Sequence, residues 1–68
     1  MIILTDLLKV MDSSFVAIKY NDRIIDSGSA KYFTEHQQKK WNVYIVTNII
    51  IPKDEYTATI IEVKSIYE

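Results

Sequence analysis

Hydrophobic and polar positions divide the chain into short segments, of which the last third is the most regular. Two runs rich in β-branched and aromatic residues, WNVYIVTNIII and TATIIEVKSIY, flank the segment PKDEY, which holds the only proline. β-Branched and aromatic side chains favour strands, and a polar link between two such runs is typical of a hairpin. The pattern therefore predicts a long β-hairpin from Trp41 to Tyr67.

The beginning of the chain has helical periodicity instead. Apolar residues recur there with the spacing of a single helix face: Leu4, Leu7, Leu8 and Met11. Thr5 is a candidate N-cap, Asp6 favours the positive end of the helix dipole, and Asp12-Ser13-Ser14 ends the predicted helix. We expect the apolar stripe to cover one face of a sheet.

Between these regions the pattern alternates and then changes. Phe15–Tyr20 reads as a strand with Val16, Ile18 and Tyr20 on one face, and Arg23–Ser27 reads as its partner. Asn21-Asp22 predicts a two-residue turn, because Asn and Asp tolerate positive φ better than most residues do. Ser27-Gly28-Ser29 is expected to end this hairpin. Residues 30–40 then predict one to three helical turns, with Ser29 as a possible cap.

The predicted order is α-β-β-α-β-β in a single domain, residues 1–68. Runs of this kind fold as α+β proteins, here a four-stranded antiparallel sheet of two hairpins with one or two short helices on one face. The covered face is expected to take Leu7, Leu8, Met11, Val16, Ile18, Ile24, Ile61 and Val63. Strand 43–51 is apolar on both faces, so either Val43 or Tyr44, with its same-face partners, fits the core.

Composition limits how such a domain can be stabilised. A chain of 68 residues buries only about 60% of its unfolded surface. It has no cysteine and one histidine, so a disulfide framework is impossible and neither a structural metal nor a cofactor is expected. The surplus apolar face of strand 43–51 therefore predicts association, and a homodimer in particular.

Charge narrows the class of partner. Eight basic and nine acidic residues give a net charge of −1, whereas nucleic-acid-binding domains usually carry a basic excess. The N-terminus lacks the basic segment of a signal peptide, and no apolar run approaches the about 20 residues that span a membrane. We therefore expect a cytoplasmic protein without membrane contact.

Enzymatic motifs are not recognisable in the chain. His36 is the only histidine and lies in a polar stretch, and no pattern arranges Ser27 or Ser29 beside it as a nucleophile. Phosphate-binding loops need several glycines, and this chain has one. We expect a protein that is not an enzyme.

Aromatic residues favour a binding surface. Five tyrosines and one tryptophan are many for this length, and both types are enriched in interface hot spots. The residues expected to contact a partner protein are Trp41, Tyr44, Val46, Ile50 and Tyr56. An alternative is a small nucleotide- or single-stranded nucleic-acid-binding protein, because basic and aromatic residues interleave at Lys31, Tyr32, Lys39 and Lys40, next to Trp41.

The first half of the chain carries a resemblance. TDLLKVMD at residues 5–12, the turn at Asn21-Asp22 and IDSGSAK at residues 25–31 look like small uncharacterised proteins of phages and prophages of Gram-positive bacteria. Those proteins often have an acidic residue where Ser29 stands here, and the C-terminal hairpin of this chain is longer and more apolar. Some of them are anti-CRISPR or other anti-defence inhibitors. The resemblance implies an inhibitor or modulator that binds a host protein in a bacterial cell. We expect it to act by occlusion, with the sheet edge or the apolar outer face of residues 42–51 meeting the partner.

Overall fold

The computed structural model describes residues 1–11, 14–54 and 56–67. Its helices are α1 (Leu4–Val10), α2 (Ala30–His36) and α3 (Gln38–Trp41), and its strands are β1 (Phe15–Tyr20), β2 (Arg23–Ser29), β3 (Tyr44–Ile50) and β4 (Thr59–Ser65). The fold is α+β, as predicted, with one helix more than the predicted order contains. None of the helices in these ranges has the length and apolar content that a membrane crossing requires.

The four strands form one mixed sheet in the order β2-β1-β4-β3. β1 pairs antiparallel with β2, and β3 pairs antiparallel with β4, so both predicted hairpins are present. The prediction of a wholly antiparallel sheet is wrong, because β1 and β4 run parallel. Parallel neighbours need a crossover connection, and here α2 and α3 carry the chain from the edge strand β2 to the edge strand β3.

The first hairpin closes as the sequence predicts. Asn21 and Asp22 have φ values of 51° and 62°, so both residues of the turn use the left-handed region that such turns require. The expected break around Gly28 is wrong, because β2 continues to Ser29 and Gly28 pairs with Val16. With a φ of 155°, Gly28 adopts a backbone conformation in which a larger residue would be strained.

An extra residue in β2 changes which of its side chains face the helices. Ile18 pairs with Asp26 and Lys19 pairs with Ile24, so Ile25 is the unpaired residue of a β-bulge. Ile24 therefore shares a face with Lys19, away from the helices, and is 51% exposed. Its predicted place in the core is wrong, because the two-residue turn at Asn21-Asp22 pairs it with Lys19.

A second bulge decides the orientation of β3. Val46 pairs with Val63 and Asn48 pairs with Glu62, so Thr47 is the extra residue, and its hydroxyl donates to the carbonyl oxygen of Glu62 at 3.1 Å. The side chains that point toward the helices therefore switch from one alternating set to the other in the middle of β3. Tyr44 and Val46 lie on the helix side before the bulge, and Ile49 lies on that side after it, so neither of the two alternating sets is the inner one throughout.

Side-chain capping contributes less to the helices than the sequence suggests. α1 begins at Leu4 after Ile3, so Thr5 lies inside the helix and is buried, and its predicted role as a cap is wrong. Ser29 does occupy the N-cap position of α2, but its side chain makes no cap hydrogen bond among the described residues. Of the segment predicted to end α1, Asp12 and Ser13 lie outside the described residues.

The core lies between the helices and one face of the sheet, called the inner face here. It consists of Leu4, Leu8, Val16, Ile18, Ala30, Phe33, Trp41, Ile61 and Val63. Trp41 is fully buried, with its ring centroid 5.5 Å from that of Phe33 and 5.6 Å from that of Tyr44. Its indole Nε1–H donates to Oε1 of Gln37 at 3.0 Å, so the one polar atom of this side chain is satisfied.

Truncating a core side chain of β4 should cost more stability than truncating its neighbour on the opposite face. Ile61→Val removes one buried methylene and should lower the free energy of unfolding by about 0.5–1.5 kcal/mol. Ile60→Val is the matched control, because it makes the same change one residue away on the other face and should cost less. Urea unfolding followed by Trp41 fluorescence measures both, and an equal or larger loss at Ile60 would contradict this assignment of faces.

Candidate functional site

The sheet face opposite the helices, called the outer face here, carries apolar side chains on three adjacent strands. Ala17 of β1 pairs with Ile60 of β4, and Ile60 pairs with Ile50 of β3. Phe15 lies two residues before Ala17 on the same face of β1 and is 68% exposed. Side chains two residues apart in a strand share one face, so these four residues form a continuous apolar patch.

A surface cleft of about 410 Å³ adjoins this patch at the end of the sheet where the β3–β4 connection lies. It is lined by Ser14, Phe15, Ile51, Pro52, Asp54, Tyr56, Thr57 and Thr59. Two of its large side chains are highly exposed, Ile51 at 78% and Tyr56 at 90%. The cleft and the adjacent part of the patch are together called the hairpin-end surface, which consists of Phe15, Ile50, Ile51, Pro52 and Tyr56.

Asp54 organises the connection that carries Tyr56. Its Oδ1 accepts hydrogen bonds from the backbone N–H of Tyr56 at 2.9 Å and of Thr57 at 2.8 Å, and from the hydroxyl of Thr57 at 2.9 Å. The Thr57 hydroxyl, followed by the Tyr56 amide, holds the pKa of Asp54 below its ordinary value of 3.8, since these donors favour the charged carboxylate. The turn therefore places Tyr56 beside the cleft through contacts that are strongest when Asp54 is ionised.

Charged and amide side chains of β1, β3 and β4 border this patch on the outer face. Lys19 pairs with Glu62 across β1 and β4, and Nδ2 of Asn48 donates to Oε1 of Glu62 at 2.9 Å. Lys64 follows Glu62 on the same face and is exposed. The apolar patch is thus bordered by charged and amide side chains on one side.

The structure separates the five residues predicted to contact a partner. Ile50 and Tyr56 belong to the hairpin-end surface. Tyr44 and Val46 lie on the inner face, half-buried against the core. Trp41 is 0% exposed, and a side chain without exposed surface offers nothing to a partner in this conformation. The candidate surface therefore omits Trp41.

Sequence reasoning missed three residues of this surface: Phe15, Ile51 and Pro52. The alternation of β1 does place Phe15 on the face opposite Val16 and Ile18, which is a usable signal. What the sequence does not show is that the start of β1 lies next to the end of β3. That proximity follows from the positions of both strands beside β4.

The alternative nucleotide-binding residues lie on two helices, and part of their charge is paired. Nζ of Lys31 is 3.9 Å from a carboxylate oxygen of Glu35, and Nζ of Lys40 is 3.8 Å from Asp26 and 4.7 Å from the ring centroid of Trp41. A cleft of about 520 Å³ is lined by Glu35, His36, Gln37, Lys39 and Lys40. Tyr32 is half exposed on α2, with its ring centroid 5.1 Å from that of His36.

Lowering the pH should release the turn at Asp54. Its carboxylate contributes stabilisation above the ordinary pKa of 3.8 and loses it as the pH falls through the lower pKa of the folded chain. In an NMR titration, the amide signals of Tyr56 and Thr57 should therefore shift together with the Asp54 carboxyl signal below pH 3.8. Asp54→Ala should abolish that common shift, and a carboxyl group that titrates at or above 3.8 would contradict the geometry.

Neither a metal cluster nor a known relative identifies this site. Within the described ranges, no three histidine or acidic side chains are grouped so that they could hold a metal ion. Comparison of the chain with protein-family models, curated proteins and solved structures gives no significant match. Function is therefore inferred from the contacts, burial and charges of the chain's own residues.

Proposed function

We propose that the chain is a non-enzymatic protein-binding module whose hairpin-end surface contacts a partner protein. The observation that carries this proposal is the convergence of Phe15, Ile51 and Tyr56, all highly exposed, on one cleft. Single exposed apolar residues are common on protein surfaces, but contiguous exposed apolar patches are uncommon and usually mark interaction sites. The adjacency of these side chains therefore supports binding more than their number does.

The distribution of polar groups around the surface has the pattern of an interface. Protein interfaces combine an apolar, often aromatic centre with a polar rim. Here the cleft itself includes Asp54, Thr57 and Thr59 beside the aromatic rings, and Lys19 and Glu62 border the patch along the sheet. Tyr56 and Phe15 have the chemistry of anchoring residues, because aromatic side chains bury a large area with few rotatable bonds.

Occlusion is the mechanism that fits such a module. A rigid sheet with an apolar end covers the surface of its partner and blocks what that surface otherwise binds. The resemblance of the first half of the chain to phage and prophage proteins supports a bacterial host protein as the partner, and a role as an inhibitor or anti-defence protein in the host cytoplasm.

Removing the aromatic anchors should abolish capture of the partner. The immobilised chain is incubated with a lysate of Gram-positive bacteria, and retained proteins are quantified by mass spectrometry. Phe15→Ala and Tyr56→Ala should each reduce the retained partner at least about tenfold, as expected for interface anchors.

Tyr67→Ala is the matched control for that experiment. Tyr67 is 81% exposed but follows β4, whereas Tyr56 precedes it, so the two tyrosines lie at opposite ends of that strand. The control should retain the partner like the unmodified chain. An equal loss of the retained partner in all three variants, or no loss in any of them, would contradict the assigned surface.

A second proposal is binding of a nucleotide or of single-stranded nucleic acid at α2 and α3. It is supported by the exposed ring of Tyr32 and by the cleft that Lys39 and Lys40 line with His36. Stacking on an aromatic ring contributes about 1–3 kcal/mol per base, and lysines add attraction to phosphates that weakens with salt. The ion pairs of Lys31 and Lys40 and the net charge of −1 make this proposal the weaker one.

Fluorescence anisotropy with labelled single-stranded oligonucleotides and cyclic dinucleotides tests the second proposal. Tyr32→Ala should weaken binding at low salt at least about fivefold, the lower limit for loss of one stacked base. Lys53→Gln, a change of one charge in the β3–β4 connection, should leave binding nearly unchanged. Absence of binding by the unmodified chain at low salt would refute the second proposal without affecting the first.

A further inference from the structure

The two edges of the sheet differ in the features that protect an edge from pairing with another chain. Both edge strands contain a bulge, but β2 also carries the charged residues Arg23 and Asp26, and charge is a device that natural edge strands use against such pairing. β3 has the sequence YIVTNII and no charged residue, and Ile51 extends its apolar run. β3 is therefore the edge at which strand addition is favourable.

Half of the β3 edge is already occupied by an extended segment of the same chain. The N–H of Val46 donates to the carbonyl oxygen of Ile2 at 2.8 Å, and Ile3 forms an antiparallel bridge with Ile45. This contact shows that the edge accepts an antiparallel strand. It covers only the part of β3 before the bulge, and no described segment of the chain pairs with the edge from Asn48 onward.

The direction of the backbone groups follows from this contact. The N–H of Val46 points away from β4, and Val46 pairs with Val63. Ile49 pairs with Ile61, which lies two residues from Val63 on β4. In an antiparallel ladder the direction of the backbone groups repeats every two residues. The N–H and C=O of Ile49 therefore point away from β4, as those of Val46 do. Ile51 follows the last residue of β3, and extension of the strand by this one residue would direct its backbone groups to the same edge.

We propose that the open part of β3 pairs antiparallel with β3 of a second copy of this chain, about a two-fold axis at Ile50. Two four-stranded sheets then become one continuous sheet. In this arrangement the backbone N–H and C=O of Ile49 in each copy form hydrogen bonds with the backbone C=O and N–H of Ile51 in the other copy. Ile50 faces its own counterpart across the axis in a pair without direct hydrogen bonds, where side chains are closest.

The side chains at this edge favour a second copy over an unrelated strand. A two-fold axis places identical residues opposite each other, so a charge near the axis would meet a like charge. The segment from Ile49 to Ile51 is three consecutive isoleucines, and its self-pairing brings six isoleucines together without any charge. Pairing with a different protein would gain specificity from complementary charges, which this segment does not offer.

This inference is separate from the proposed function, although Ile50 and Ile51 contribute to both. Phe15 and Tyr56 do not belong to β3, so their substitution tests partner binding without changing the pairing edge. Substitution of Ile50 tests the pairing through the mass of the chain alone, in the absence of a partner protein, and leaves Phe15 and Tyr56 in place. The two experiments can therefore fail independently of each other.

Sedimentation equilibrium on the full chain is the first test. The unmodified chain should have twice the monomer mass of 8.0 kDa at micromolar concentration, and Ile50→Lys should halve the observed mass because two lysines would meet at the axis. Ile24→Lys, on the β2 edge, is the matched control and should keep the mass of the dimer. Trp41 fluorescence confirms that each variant is folded. A monomeric mass for the unmodified chain, or equal loss of mass in both variants, would overturn the proposal.

Cross-linking is the second test, and it does not depend on disrupting the edge. The chain has no cysteine, so Ile50→Cys introduces a single thiol. Across a close antiparallel pair the two Cβ atoms lie about 4.5–5.5 Å apart, which is near the distance that a disulfide bridges. Mild oxidation should convert most of this variant to a covalent dimer, whereas Ile24→Cys should stay largely uncrosslinked. Preferential cross-linking of Ile24→Cys would place the contact at the β2 edge and overturn the proposal.

Discussion

The parallel pairing of β1 with β4 is the interaction on which the rest of the structure depends. It joins two hairpins that each lack enough apolar surface to be stable alone. The pairing aligns Ile18 with Ile61 and Tyr20 with Val63. The inner face thereby becomes continuous across the sheet, and the helices pack on it around Trp41. Without this alignment there would be no common surface for α1, α2 and α3 to cover.

The same pairing decides which parts of the molecule are available to partners. Because β1 and β4 occupy the centre, β2 and β3 become the edges, and only β2 carries charges. The start of β1 and the connection after β3 come to lie at one end of the sheet, where Phe15 and Tyr56 share a cleft. The candidate surface and the open edge are thus both consequences of the way in which the two hairpins are joined.

Trp41 and the bulge in β3 show why sequence patterns identified elements better than they identified surfaces. A tryptophan beside lysines is compatible with a binding site and with a core, and the decisive contacts of Trp41 are with Phe33, Tyr44 and Gln37 in the folded chain. A bulge adds one residue to a strand with a period of two, so it moves every later side chain to the other face. For this reason the inner set of β3 changed at Thr47.

The sequence by itself determined the local structure: the apolar stripe of α1, the turn at Asn21-Asp22 and the two hairpins. These depend on interactions between residues close in the chain, which composition and spacing record directly. Only the tertiary structure decided the direction of β4 beside β1, the faces of β2 and β3 and the cleft at Phe15. These depend on contacts between segments that are distant in the chain. Several arrangements of two apolar hairpins are compatible with the same sequence pattern, and only the packing of the helices across the sheet determines which one forms.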